Sequence, residues 1–197
     1  MRNHLLSQYF LRSPRLALML IGHSNIKKRD LVLDIGAGSG VITVALSKRC
    51  REVWAIEPDH HTAEKLRANL ARQHITNVKV IEEDFLKISL PAEPYKVFAN
   101  PPFHISSAIV HKLLEAENQP ESFYLLLQKQ FALKLLNTDR HYTSQLGQAL
   151  IQEYNTKIKY PLKPTDFTPP PAVPVVLFEA KRIAQRLDIS EHTSNPS

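Results

Sequence analysis

Leu31-Val-Leu-Asp-Ile-Gly-Ala-Gly-Ser-Gly40 is an apolar run with one carboxylate that breaks into glycine at every second position. Apolar residues then return at helical spacing (Val41, Val44, Ala45), so the stretch reads as a buried parallel strand, a tight turn and the start of a helix. Glycine is required there because the backbone takes conformations that a Cβ forbids and must let a ligand approach closely. The helix that follows offers unpaired N–H groups to that ligand. This is the pattern of a nucleotide-binding turn, and it makes an α/β fold the expectation.

Outward from this turn the motif repeats its logic. Val53-Trp-Ala-Ile56 reads as a second strand and ends at Glu57, after which Pro58-Asp59 starts a helix with Ala63, Leu66, Leu70 and Ala71 on one face. Glu57 follows the first glycine at the interval at which dinucleotide-binding folds set an acid against ribose hydroxyls. A third strand, Val78-Lys-Val-Ile81, runs into Glu82-Glu-Asp-Phe85. There a carboxylate can accept from an exocyclic amine and an aromatic ring can cover a base, although a phenylalanine at such a place serves equally as core. The fourth strand, Tyr95 to Ala99, leads into Asn100-Pro-Pro-Phe-His-Ile-Ser106. Two prolines make that loop rigid and hold Asn100 extended, so that an amide oxygen, a backbone carbonyl and an aromatic face stand at the sheet edge where α/β ligands bind.

Phe123 to Leu127 is a fifth strand, Gln128 to Leu136 a helix and Asn137 to Tyr142 a polar loop before another short helix. Glu153 to Tyr160 and Val173 to Ala180 then pair without an intervening helix. Seven strands result, mostly parallel, with an antiparallel last strand. The helix after Gly40 is expected to reach about Arg51. On the N-terminal side Ser13-Pro14 is a cap and first helical residue for a helix through Gly22.

Of the net charge of +6, all the excess lies in residues 1–29, which hold Arg2, Arg12, Arg15, Lys27, Lys28 and Arg29 and no acid. Uncompensated basic charge suits a phosphate backbone, or a solvated terminus. The chain is therefore expected to divide into a basic arm and helix (1–29), a main domain (30–182) and a polar tail (183–197) whose composition predicts disorder. Leu16 to Ile21 is far too short for a membrane span and precedes no small-residue cleavage site, so neither leader, anchor nor membrane partner is expected. Cys50 is the single cysteine, which excludes an internal disulfide and suits the cytoplasm. His60 and His61 are adjacent, so their side chains diverge, and no metal site is expected.

Motifs in this order resemble the rRNA adenine-N6 methyltransferases, the family of the Erm enzymes and the KsgA-type 16S dimethylases. They are Ser7-Gln-Tyr-Phe-Leu11, Asp34-Ile-Gly-Ala-Gly38, Ala55-Ile-Glu-Pro-Asp59, Glu83-Asp-Phe85, Asn100 to Ser106, and Leu127-Gln-Lys129 with Phe167-Thr-Pro-Pro-Pro171. The resemblance implies a Rossmann-like class I methyltransferase that uses S-adenosyl-L-methionine. It puts Gly36 and Gly38 beside the methionine part, Glu57 on the ribose, Asp84 and Phe85 on the adenine, and Tyr9, Leu11 and Asn100 in the cofactor site. Asn100 and the Pro101 carbonyl then hold the target amine, and Phe103 stacks on its ring. The implied partner is rRNA, 23S favoured over 16S, naked or in an assembling ribosomal particle, with a monomeric cytoplasmic enzyme acting on it.

Those residue types match the chemistry. An aryl amine shares its lone pair with the purine ring, and two fixed acceptors for its hydrogens favour a tetrahedral nitrogen aimed at the methyl group. No strong base is needed, and the base must be unstacked, which favours a loop or single strand. Tyr9 stands where the family usually has Asn, and Pro101 and Phe103 replace the usual residues of N-I/L-P-Y. The chain ends soon after its last strand, where the family carries a helical domain, so RNA contact is expected to lean on the arm and on Lys157, Lys159 and Lys163. A DNA-adenine or protein-glutamine methyltransferase and a non-catalytic ribosome-assembly factor are the alternatives.

Overall fold

A computed structural model describes residues 9–136 and 143–183. The expectations for Arg2, Ser7, Gln8, residues 137–142 and residues 184–197 fall outside them. Fifteen elements follow in order: β1 (Phe10–Leu11), α1 (Pro14–Gly22), β2 (Leu31–Ile35), α2 (Val41–Ser47), β3 (Glu52–Ile56), α3 (His60–Arg72), β4 (Val78–Ile81), β5 (Tyr95–Ala99), α4 (Ser106–Leu114), β6 (Ser122–Gln128), α5 (Lys129–Leu133), α6 (Gln145–Glu153), β7 (Tyr154–Leu162), β8 (Phe167–Thr168) and β9 (Val175–Arg182).

Seven strands form one sheet in the order β4-β3-β2-β5-β6-β9-β7. Neighbours from β4 to β6 run parallel, while β9 is antiparallel to both β6 and β7. The antiparallel last strand thus lies one place in from the edge. The two continuous apolar runs β2 and β5 sit in the middle and are buried at every position, as strands covered on both faces must be. Helices α1, α2 and α3 cover one face, where Ala17, Leu20, Ile42 and Leu46 meet Val32, Phe98 and Tyr124, and Leu66 and Leu70 meet Ala55. On the other face α4, α5 and α6 set Ile109, Leu113, Ala132 and Leu150 against Leu33, Val97 and Leu125.

Local signals explain the boundaries. The side chains of Ser13, Asp59 and Ser144 accept from Leu16 N (3.3 Å), Thr62 N (2.8 Å) and Gly147 N (3.1 Å), which satisfies N–H groups that a helix start leaves unpaired. Helix α2 is shorter than its apolar spacing suggests, because the chain must turn at Lys48 to Arg51 to reach β3. A small second sheet, β1 with β8, ties the arm to the segment between β7 and β9, with Phe10 opposite Thr168 and Leu11 opposite Phe167. Inside β5, Lys96 is buried and bonds Asp30 Oδ2 (2.7 Å) and the Asn25 carbonyl (3.1 Å), so a charge in the sheet is compensated on the spot.

Candidate active site

The strand order reverses between β2 and β5, since β3 and β4 lie on one side and β6 on the other. Ligands in open α/β sheets bind at such a switch, outside the carboxyl ends of the strands. Here the two ends carry the glycine turn and the Asn-Pro-Pro-Phe loop.

All three glycines of the turn have left-handed backbones and face other segments, Gly36 at φ +71°, Gly38 at φ +56° and Gly40, against Leu66 of α3, at φ +96°. A Cβ on Gly36 would stand 3.4 Å from Pro102 Cδ and 3.8 Å from Pro101 Cα; on Gly38 it would stand 3.1 Å from the Phe10 ring. At Gly36 a Cβ would only touch the proline loop, so the left-handed backbone is what calls for glycine, whereas at Gly38 it would also press on the Phe10 ring. Glu57, 3% exposed at the end of β3, braces the turn: Oε2 accepts from Gly38 N (2.9 Å) and Oε1 from Asp59 N (3.1 Å).

Asn100 ends β5. Its Nδ2 donates to the carbonyl of Tyr9 at 2.5 Å, across 91 positions of chain. A carbonyl can only accept, so this bond turns the amide nitrogen to the arm and directs Oδ1 the other way, as an acceptor. Pro101 is buried, and Phe103 opens a single 3₁₀ turn before α4, its ring 5.1 Å from that of Tyr9.

Beneath the turn Asp34 is fully buried. Oδ2 accepts from Thr43 Oγ1 (2.6 Å), while Oδ1 has no partner. Burial, opposed by the Thr43 hydroxyl and reinforced by the charge of Glu57, pushes this carboxyl up to about 7.

A cavity between arm, turn and loop is lined by Tyr9, Leu11, Gly36, Glu57 and Asn100, five of the residues expected from sequence, together with Phe10, Ala37, Ser39, Val41, Ile42 and Pro102. Pro101, Phe103 and Gly38 adjoin it through the contacts just described. Asp84 and Phe85 stand further out, at the end of β4. The Asp84 carboxylate accepts from Leu86 N (2.9 Å), and Phe85 is 3% exposed in the core with Lys112 Nζ 4.9 Å over its ring. That ammonium also donates to the carbonyls of Phe85 and Ile88 (both 2.6 Å), and burial lowers its pKa. Phe10 was not singled out by sequence; the one signal for it is its place between Tyr9 and Leu11, since alternate strand residues face opposite ways. Among the described residues His60, Glu64 and Glu82 come together at the surface, but Arg67 bonds both carboxylates (2.7 and 2.9 Å) and His60 bonds Glu82 (2.6 Å). No helix among the described residues is long and apolar enough to cross a membrane.

Comparison with known proteins gives a concordant result. The family profile "Ribosomal RNA adenine dimethylase" matches residues 2–194. A probable ribosomal RNA small subunit methyltransferase A of Methanosphaera stadtmanae is 32% identical over 174 residues, 88% of this chain and 63% of that protein. An rRNA adenine N-6-methyltransferase of Lysinibacillus sphaericus is 31% identical over 186 residues, 94% of this chain and 73% of that protein. Among solved structures, the 23S rRNA methyltransferase ErmE superposes with a TM-score of 0.80 at 28% identity, covering 90% of this chain and 71% of the other. The chain thus spans less than two thirds of the first of these relatives.

Proposed function

Since the chain belongs to the ribosomal RNA adenine dimethylase family, we propose that it is an S-adenosylmethionine-dependent rRNA adenine-N6 methyltransferase whose target lies in 23S rRNA. The observation that carries this reading is the bond from Asn100 Nδ2 to the Tyr9 carbonyl, which aims Oδ1 as an acceptor beside the glycine turn.

The residues present fit the cofactor. Gly36 and Gly38 hold the turn in left-handed backbone conformations that side chains rarely adopt, which brings the backbone itself to the cavity. Glu57 offers a carboxylate held by two backbone N–H groups, and the unpartnered Oδ1 of Asp34 leaves a buried carboxyl that needs a proton or a cation. Gly36, Glu57, Leu11 and the backbone of Tyr9 would hold the cofactor, with Asp84 and Phe85 towards its outer end. When bound, S-adenosylmethionine supplies an electrophilic methyl group on a positively charged sulfur.

The chain's own part is positioning. Asn100 Oδ1 and the Pro101 carbonyl accept the two hydrogens of the target amine and so favour a tetrahedral nitrogen with its lone pair free. Phe103 covers the base, and both prolines keep these groups from relaxing. The proton leaves once the nitrogen is methylated and cationic, so no base is assigned. The Erm-like wording of Tyr95 to Asn100 and His104 to Ser106, and the likeness to ErmE, support 23S rRNA; the Methanosphaera relative supports the rRNA of the small subunit as the second reading.

The test is transfer from labelled S-adenosylmethionine to 23S rRNA, 16S rRNA and duplex DNA, each digested to nucleosides. Methylated adenosine in 23S rRNA alone is expected. Label in 16S rRNA moves the target to the small subunit, label in DNA refutes the rRNA reading, and cofactor binding without transfer to naked RNA or assembling particles leaves a non-catalytic factor.

A further inference from the structure

The arm reaches the loop of Asn100 at two points. One is the Tyr9 carbonyl; the other is the Tyr9 ring, whose centroid is 5.1 Å from that of Phe103 with the planes inclined by 32°. Both rings are half-buried and pack on the core cluster beneath α1. The neighbouring arm residue does the opposite: the Phe10 ring lies against Gly38 in the glycine turn. Successive residues of an extended strand face opposite ways. The arm therefore sends one ring, Phe10, to the turn and the other, Tyr9, to the loop that carries the amine acceptors.

We propose that the side chain of Tyr9 is a wall of the target-base site, not a cofactor contact. With Phe103 it makes a continuous aromatic surface beside Asn100, half of it supplied by the arm. Rings this close leave no space for a base between them, so an unstacked adenine lies across the pair. An aromatic face is what such a base needs after leaving its own stack, and a tyrosine here adds area that a small polar side chain does not. Tyr9 is a specificity residue on this view: it selects an extruded base, while its backbone positions Asn100. The inference rests on the functional reading above.

Side-chain substitution separates the two roles, because every Tyr9 variant keeps the carbonyl. Tyr9→Ala, Tyr9→Leu and Tyr9→Phe would be compared in full-length protein. The readouts are the cofactor Kd by calorimetry, kcat and KM with a 23S rRNA transcript, and binding of a single-stranded RNA carrying 2-aminopurine, followed by its fluorescence. Tyr9→Ala is expected to raise the RNA KM and weaken the 2-aminopurine RNA by about tenfold, with cofactor Kd changed less than twofold. Tyr9→Leu, which keeps bulk but no ring, should follow Tyr9→Ala, and Tyr9→Phe should restore both values. Weaker cofactor binding with an unchanged RNA KM, or no change in either, would overturn the proposal, as would a Tyr9→Leu that behaves like the wild type. Binding of the 2-aminopurine probe does not depend on transfer. If the wild type methylates no RNA yet Tyr9→Ala loses the probe, the base-site assignment stands and the functional reading falls.

Discussion

Replacing Asp34 by Asn tests how the fold tolerates a carboxyl buried under its ligand turn. Burial raises this group from 3.8 to about 7, so between those values the native protein holds a proton that the unfolded chain releases. The associated stability is complete below the unfolded value and is lost as pH rises through about 7, to a total of about 4 kcal/mol. Between pH 5 and pH 8.5 the loss from this one group is about 3 kcal/mol. Asn cannot titrate, while its amide oxygen can still accept from Thr43 Oγ1. Its Nδ2 takes the place of the unpartnered Oδ1 and costs a fixed amount at every pH. Urea unfolding of both proteins at pH 5 and pH 8.5 isolates the titration as a double difference. The wild type should lose about 3 kcal/mol more than Asp34→Asn over that interval. Parallel pH profiles, within about 0.5 kcal/mol, would mean that the carboxyl is not held protonated and that the account of its burial is wrong.

Asn100→Ala should lower kcat by about a hundredfold or more through loss of one fixed acceptor, with cofactor affinity nearly unchanged; calorimetry showing that affinity collapse would reassign the loop. Gly38→Ala puts a methyl group 3.1 Å from the Phe10 ring on a left-handed backbone. It should cost about 1–2 kcal/mol in urea unfolding and weaken the cofactor, because the turn's backbone is strained and the Phe10 ring must shift by a few tenths of an ångström. Lys96→Met leaves Asp30 buried without its cation and should destabilise by about 3–5 kcal/mol, a loss that adding Asp30→Asn should largely recover. Gly147→Ala sets a Cβ 2.2 Å from the Lys134 carbonyl. That contact is with backbone, so overpacking of about 1–3 kcal/mol outweighs a helix-propensity gain of about 1 kcal/mol, and a stabilised variant would contradict the packing of α6 on α5.

The sequence by itself determined the elements and their chemistry. Strand, glycine turn and helix at 31–47, the caps at Ser13 and Asp59, the buried runs of β2, β5 and β6 and the order of the motifs were all legible, because each depends on neighbours a few positions apart. So was the placing of turn and loop at one edge of the sheet, since both follow strands that βα repetition makes parallel; that those two strands are neighbours is read from the sheet itself. Three further things were decided only by the tertiary structure. The arm pairs with β8, which no periodicity in a two-residue strand can announce. The Asn100 amide finds its carbonyl on Tyr9, 91 positions away, so the orientation of the acceptor depends on where the arm crosses. Asp34 holds its proton to about pH 7, because a pKa is set by the solvent a group loses and by the groups around it, and a sequence states neither. Local propensity names the parts; long-range contact and burial decide which way they face and how they are charged.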